Sequence, residues 1–171
     1  PTLDTWTITE THRSYLNWLI KRISSLDTRG IWSADRLPQI KLEDVYISLH
    51  AREEQFPSVS PRDAFTKEPA SQAPLLSLSD IVIQHDHLMI LGEPGSGKTT
   101  LLHHLALKHA LALLNPGEDS NIGAARFPIL LRIADYVEHG MHQGKSLNEF
   151  LAYDCRRHAS PTPTSALSDL L

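Results

Sequence analysis

The chain has 171 residues, with 16 Lys+Arg against 20 Asp+Glu, 41% hydrophobic residues and one Cys. That length holds one modest domain, or a domain core with an appendage, and the formal charge of −4 excludes a broad electrostatic attraction to nucleic acid or an anionic membrane. No run approaches ~18 consecutive apolar residues, the N-terminal PTLDTWTITETHRSYLNWL lacks the pattern of a signal peptide, and the lone Cys155 excludes an intrachain disulfide or a Cys-rich zinc site. The expectation is a soluble, cytoplasmic protein.

From Thr9 to Leu26, apolar residues at Tyr15, Leu16, Trp18, Leu19, Ile23 and Leu26 follow the helical period, with Thr9 or Thr11 as N-cap and Arg29-Gly30 as the break. Further on, Leu42, Val45, Ile47 and Leu49 alternate with polar residues, which predicts a short strand over Val45–His50. Pro57, Pro61, Pro69 and Pro74 then punctuate a stretch without apolar periodicity. This divides the chain into an N-terminal helical appendage with its strand over 1–56, a Pro-rich linker over 57–74 and a main domain over 75–171.

In the main domain His87–Leu91 reads as a buried strand, followed at once by GEPGSGKTT and then by LLHHLALKHALALL, a Leu/Ala-rich helix stopped by Asn115-Pro116-Gly117. Pro128 precedes a second apolar strand, Ile129–Ile133. A helix is expected from about Ser146 to His158, and Thr164 or Ser165 caps a last one. Strand, helix, strand, helix in order predicts βαβ units on a parallel sheet.

The stretch Gly92-Glu93-Pro94-Gly95-Ser96-Gly97-Lys98-Thr99 matches G-x-x-x-x-G-K-[ST], the Walker A pattern, between an apolar strand and a helix. Gly92, Gly95 and Gly97 let the backbone take positive φ and approach phosphate oxygens without a Cβ clash. The N–H groups from Gly95 to Thr99 then form an anion nest at the positive end of the helix. Lys98 is the catalytic cation between β- and γ-phosphate, and the Thr99 hydroxyl ligates the accompanying Mg²⁺. Hydrolysis also wants an acid directly after an apolar strand; the nearest candidate, Asp135, lies beyond a run that Arg132 interrupts, and an ordinary strand followed by a loop is the better reading. A complete domain of this type needs about a hundred residues or more after the loop, whereas 73 follow Lys98. The chain therefore reads as the front half of an α/β P-loop NTPase with a small helical appendage. The length argues against a small-molecule kinase, and the lack of N-K-x-D argues against a GTPase.

LMILGEPGSGKTTLLHHLAL followed by FPILLRIADY resembles the NACHT-type members of the STAND class, the signal-transducing ATPases with numerous domains. YLNWLIKRISSLDTRGI and LEDVYISLHARE are similar to the helix and V-Y-[IV]-x-L strand that precede the NACHT core in many bacterial members. The resemblance implies a cytoplasmic ATP-regulated switch: bound ADP holds a closed monomer, and exchange for ATP releases assembly into a homo-oligomer. Bacterial members pair this core with a sensor and an effector in defence against phage, so the partner implied is the remainder of such a protein, with its C-terminal sensor region. Carried over, Gly92, Glu93, Pro94, Gly95, Ser96, Gly97, Lys98, Thr99 and Thr100 become the phosphate loop, and Tyr46 is a candidate for lining the adenine pocket. The chain departs from the family in lacking the acidic Walker B segment and the later winged-helix and sensor parts, so ATP hydrolysis belongs to the longer protein.

Other features have plainer uses. His85 and His87, or His103 and His104, suggest metal ligands, yet no Cys or acidic cluster completes a tetrahedral set. Trp6, Trp18 and Trp32 suggest a docking surface, although helix-face packing is the commoner use of Trp18. Arg132, in an expected strand, calls for a partner such as Asp135 or is a snorkelling edge residue. Two alternatives stand beside the switch: a protein–protein interaction fragment whose Tyr15–Leu26 helix packs on a partner and whose loop is unoccupied, and another P-loop ATPase class such as AAA+.

Overall fold

Thr9 opens the first helix, α1 (Glu10–Ile23), through a capping box. Its hydroxyl accepts the His12 N–H at 3.3 Å while His12 Nδ1 accepts the Thr9 N–H at 3.2 Å, so an imidazole takes the place usually filled by a Glu or Gln side chain. Lys21 and Arg22 lie in the last turn, where cations suit the helix dipole. The computed structural model describes residues 8–24, 40–52, 75–117, 122–158 and 160. Leu26, Trp6, Trp32, the Pro-rich stretch and the expected final helix lie outside them.

The chain divides into two compact units, one of Pro1–Tyr46 with Thr99–Leu171 and the other of Ile47–Lys98. In the first unit, α1 shares a core with two later helices, α4 (Lys98–Leu114) and α6 (Leu147–Arg157). Tyr15, Leu16, Leu19 and Ile23 pack with Leu42, with Ala106, Leu107 and Ala110 of α4, and with Cys155 of α6. The helix expected in a separate appendage thus belongs to the same core as residues of the expected NTPase half. α6 begins where expected: the Ser146 hydroxyl accepts the Glu149 N–H, and the Glu149 carboxylate accepts the Ser146 N–H at 2.7 Å and its hydroxyl at 2.8 Å. Those two bonds hold the Glu149 carboxyl below its ordinary pKa.

Longer-range bonds tie the same unit together. The Leu42 N–H donates to Ser24 O at the end of α1, and Trp18 Nε1 donates to His158 O just past α6. Trp18 thus packs against the chain's own core. The Phe127 ring stacks on Tyr15, with centroids 5.3 Å apart. Burial pushes the Tyr15 phenol far above its usual range.

The strand expected over Val45–His50 is met only at its last residue: Val45 ends one helical turn, α2 (Leu42–Val45), with Glu43 and Asp44 in its first turn, and residues 46–49 are irregular. Strand pairing starts only at His50. In the second unit β1 (His50–Arg52) pairs antiparallel with β2 (Leu75–Ser77), in the register His50↔Ser77, Ala51↔Leu76 and Arg52↔Leu75. β2 runs directly into α3 (Leu78–Gln84), which buries Leu78 and Ile81.

This pair is the only sheet among the described residues. The expected strands His87–Leu91 and Ile129–Ile133 carry no strand pairing: the first is irregular, and the second is irregular to Arg132, with Ile133 opening α5 (Ile133–His139). An apolar run becomes a strand only when a neighbour satisfies its backbone groups. No such neighbour flanks either run among the described residues, and Leu88, Met89 and Leu91 stay exposed.

Two outcomes follow from this packing. Leu16 is fully buried, so Leu16→Ala is expected to lose about 2–5 kcal/mol of stability in a urea titration. Burial lowers the pKa of His103, His104 and His109 of α4, with Arg22, Lys108 and Arg126 respectively adding to it and Glu43 partly opposing it at His104. The unfolded chain therefore binds more protons than the folded one just below the ordinary imidazole pKa. Stability is full above that value and falls as pH drops through it. The thermal midpoint is expected to fall between about pH 7 and about pH 5, and His104→Phe, which keeps a ring at that position, to flatten part of the drop; an unchanged acid profile in that variant would count against the assignment.

Candidate phosphate-binding site

The sequence E-P-G-S folds locally by turn chemistry. The Ser96 N–H donates to Glu93 O at 3.2 Å, which closes a four-residue turn with Pro94 second and Gly95 third. Gly95 has φ +82°. Proline's fixed φ at the second position and a glycine with positive φ at the third are the requirements of a type II turn. One residue later Gly97 repeats the left-handed conformation with φ +84°. Left-handed residues alternating with ordinary ones turn backbone N–H groups toward one concavity.

Gly92 departs from the expectation. It does not adopt positive φ, and its lack of a side chain instead leaves room for the Ser96 hydroxyl. A Cβ on Gly92 would stand 2.9 Å from Ser96 Oγ, inside any real contact distance. Gly97 has the positive φ, and a Cβ there would make a tight contact of 3.3 Å with Leu49 Cδ1.

Lys98 closes the loop. Its ammonium donates to Gly92 O at 2.7 Å, to Glu93 O at 2.6 Å and to Ser96 Oγ at 3.1 Å. All three acceptors lie in the loop, so the cation is held at the loop's own mouth. Gly92 to Ser96 are exposed, and Gly97 and Lys98 are half-buried. Lys98 is also the first residue of the 17-residue α4. The N–H groups of that helix's first turn, which contains Thr99 and Thr100, have no intrahelical acceptor. Thr99 is exposed and Thr100 half-buried. The loop offers one cation beside two left-handed glycines, chemistry suited to a phosphate group.

Of the other candidates, Asp135, Arg132 and Tyr46 belong to the first unit. Asp135 sits in the first turn of α5, where Arg132 Nε approaches its carboxylate at 3.7 Å. Asp135 is thus the partner the sequence offered for Arg132, but Arg132 is largely exposed and outside any strand, and such a pair contributes about 0–1 kcal/mol. Tyr46 stacks face to face on His104, with centroids 3.6 Å apart and planes 7° from parallel. Sequence reading did not connect those two, since they lie far apart in the chain with no shared local pattern. No group of three or more His, Cys, Asp or Glu residues suited to a metal ion occurs among the described residues, so neither histidine pair is joined to such a cluster. No described helix is long and apolar enough to cross a membrane.

The Gly92 geometry makes a specific expectation. On the sequence expectation of a nucleotide loop, Gly92→Ala should weaken Mg·ATP binding by about tenfold or more, because the Ser96 hydroxyl must shift to admit the new methyl. Adding Ser96→Ala should restore most of that loss, since the remaining Cβ at 96 is at ordinary contact distance, 3.7 Å. Titration calorimetry of the single and double variants checks this, and an unrescued double variant would refute it. No protein-family model matches the chain, nor does any curated protein or solved structure, so the site stands on its own residues and geometry.

Proposed function

We propose that Gly92–Thr99 binds the phosphates of ATP or ADP together with Mg²⁺, within a cytoplasmic switch of the NACHT type that oligomerises on nucleotide exchange. One observation carries the reading: left-handed Gly95 and Gly97 flank Ser96 in a loop whose own carbonyls hold the Lys98 ammonium. In this reading Lys98 leaves those carbonyls to meet the β- and γ-phosphate oxygens. The loop amides bind the same oxygens along their edge. The Thr99 hydroxyl would hold the magnesium ion, which would supply neutralisation of phosphate charge. The wider fold in this proposal is an α/β P-loop NTPase.

Turnover needs a further carboxylate at the magnesium ion. Asp135, on a helix and beside Arg132, does not suit that role. The proposal is therefore binding by this chain with little or no hydrolysis. The sensor region of a longer protein would be the partner that reads the bound state. The alternative of an interaction fragment draws no support from α1, whose apolar face packs inside the chain's own core.

Titration calorimetry with ATP and with ADP, each with Mg²⁺, tests the reading. The expected result is a Kd of about micromolar order for the natural chain, lost in Lys98→Ala, with no phosphate release over hours. Equal binding by Lys98→Ala, or none by the natural chain, would overturn it.

A further inference from the structure

We propose that Leu49 is a positioning residue for the phosphate loop, seating the Gly97 peptide so that the amides leading into Lys98 are preset for a diphosphate. This rests on the phosphate-loop reading and extends it to a residue outside the motif. Three observations converge on Leu49, all within the unit Ile47–Lys98.

Its backbone is fixed. The Leu78 N–H donates to Leu49 O at 3.0 Å, just beyond the His50↔Ser77 pair that opens the ladder, so one backbone bond ties Leu49 to the start of α3. Leu78 is itself buried at the start of α3, which anchors the donor.

Its side chain has a set direction. Side chains alternate along a strand, and Ala51 is half-buried where His50 and Arg52 are exposed. Leu49, half-buried in turn, has the same parity as Ala51.

Its methyl groups meet the loop at one place. They lie against the face of Gly97 where a side chain would project, with Cδ1 3.3 Å and Cδ2 3.9 Å from an ideal Cβ. Gly97 has the backbone freedom of glycine and the φ of +84° that the nest needs. A glycine so placed holds one conformation only if a neighbour restricts it. Leu49 is that neighbour, and ordering the peptide beforehand spares the ligand that cost.

The alternative role for an apolar residue near such a loop is to line the base of the nucleotide, and magnesium pyrophosphate, which has no base, distinguishes the two. Calorimetry on the full chain compares pyrophosphate and ATP, each with Mg²⁺, for the natural protein and for Leu49→Ala, Leu49→Met and Lys98→Ala. The expected result is that Leu49→Ala weakens both ligands by the same factor, about tenfold, with an unchanged helical circular dichroism spectrum. Leu49→Met keeps the contact and binds as the natural protein does. Should Leu49→Ala fail to fold, Leu49→Val, which withdraws the Cδ atoms alone, is scored in the same way. Unchanged pyrophosphate binding, or a loss confined to ATP, overturns the role assigned to Leu49 while leaving the loop reading intact. If the natural protein binds neither ligand, or Lys98→Ala binds both as tightly, the loop reading itself falls and the role of Leu49 with it.

Discussion

Tyr15, Leu16, Leu19 and Ile23 leave water only because α4 presents Ala106, Leu107 and Ala110 to the same core. A helix of 14 residues is marginal by itself, even with a good cap. The remaining contacts of that unit build on this one. Leu42 hangs from the carbonyl at the end of α1, Phe127 lies against Tyr15, and Trp18 reaches the carbonyl that follows α6. Loss of the α1–α4 stripe would leave each of these without its platform.

The Gly92–Lys98 loop is ordered by different means. It buries little, and its shape comes from turn chemistry: proline at the second position, glycine at the third, and a lysine that satisfies three acceptors of the same loop. Local rules of this kind act over few residues and do not wait for a core. They explain how Gly92–Lys98 adopts a defined geometry although the apolar run just before it, Leu88 to Leu91, has no sheet neighbour among the described residues.

The same contrast explains what could be read in the sequence. Helix ends were legible, because Thr9 and Ser146 carry their caps within a few residues, and α4 and α6 follow from propensity and period. The left-handed glycines at 95 and 97 were legible for the same reason. Strands were not, since alternation says which side chains are apolar and nothing about whether a partner strand is present. Val45 to Leu49 shows this: the acids at 43 and 44 favour a helical turn, and the ladder begins only where β2 is within reach. The space requirement at Gly92, the Tyr46–His104 stack and the seat that Leu49 provides all depend on residues brought together by folding. No spacing within the motif encodes them.

The internal bonds of Lys98 also bear on selectivity. Its ammonium is fully engaged by two carbonyls and a hydroxyl, so an incoming anion enters by exchange. Chloride, with a single diffuse charge, replaces these directed acceptors poorly. A group with several oxygens at tetrahedral spacing replaces them together. In the proposed function, the loop's own carbonyls are thus the competitor that any ligand must displace from the cation.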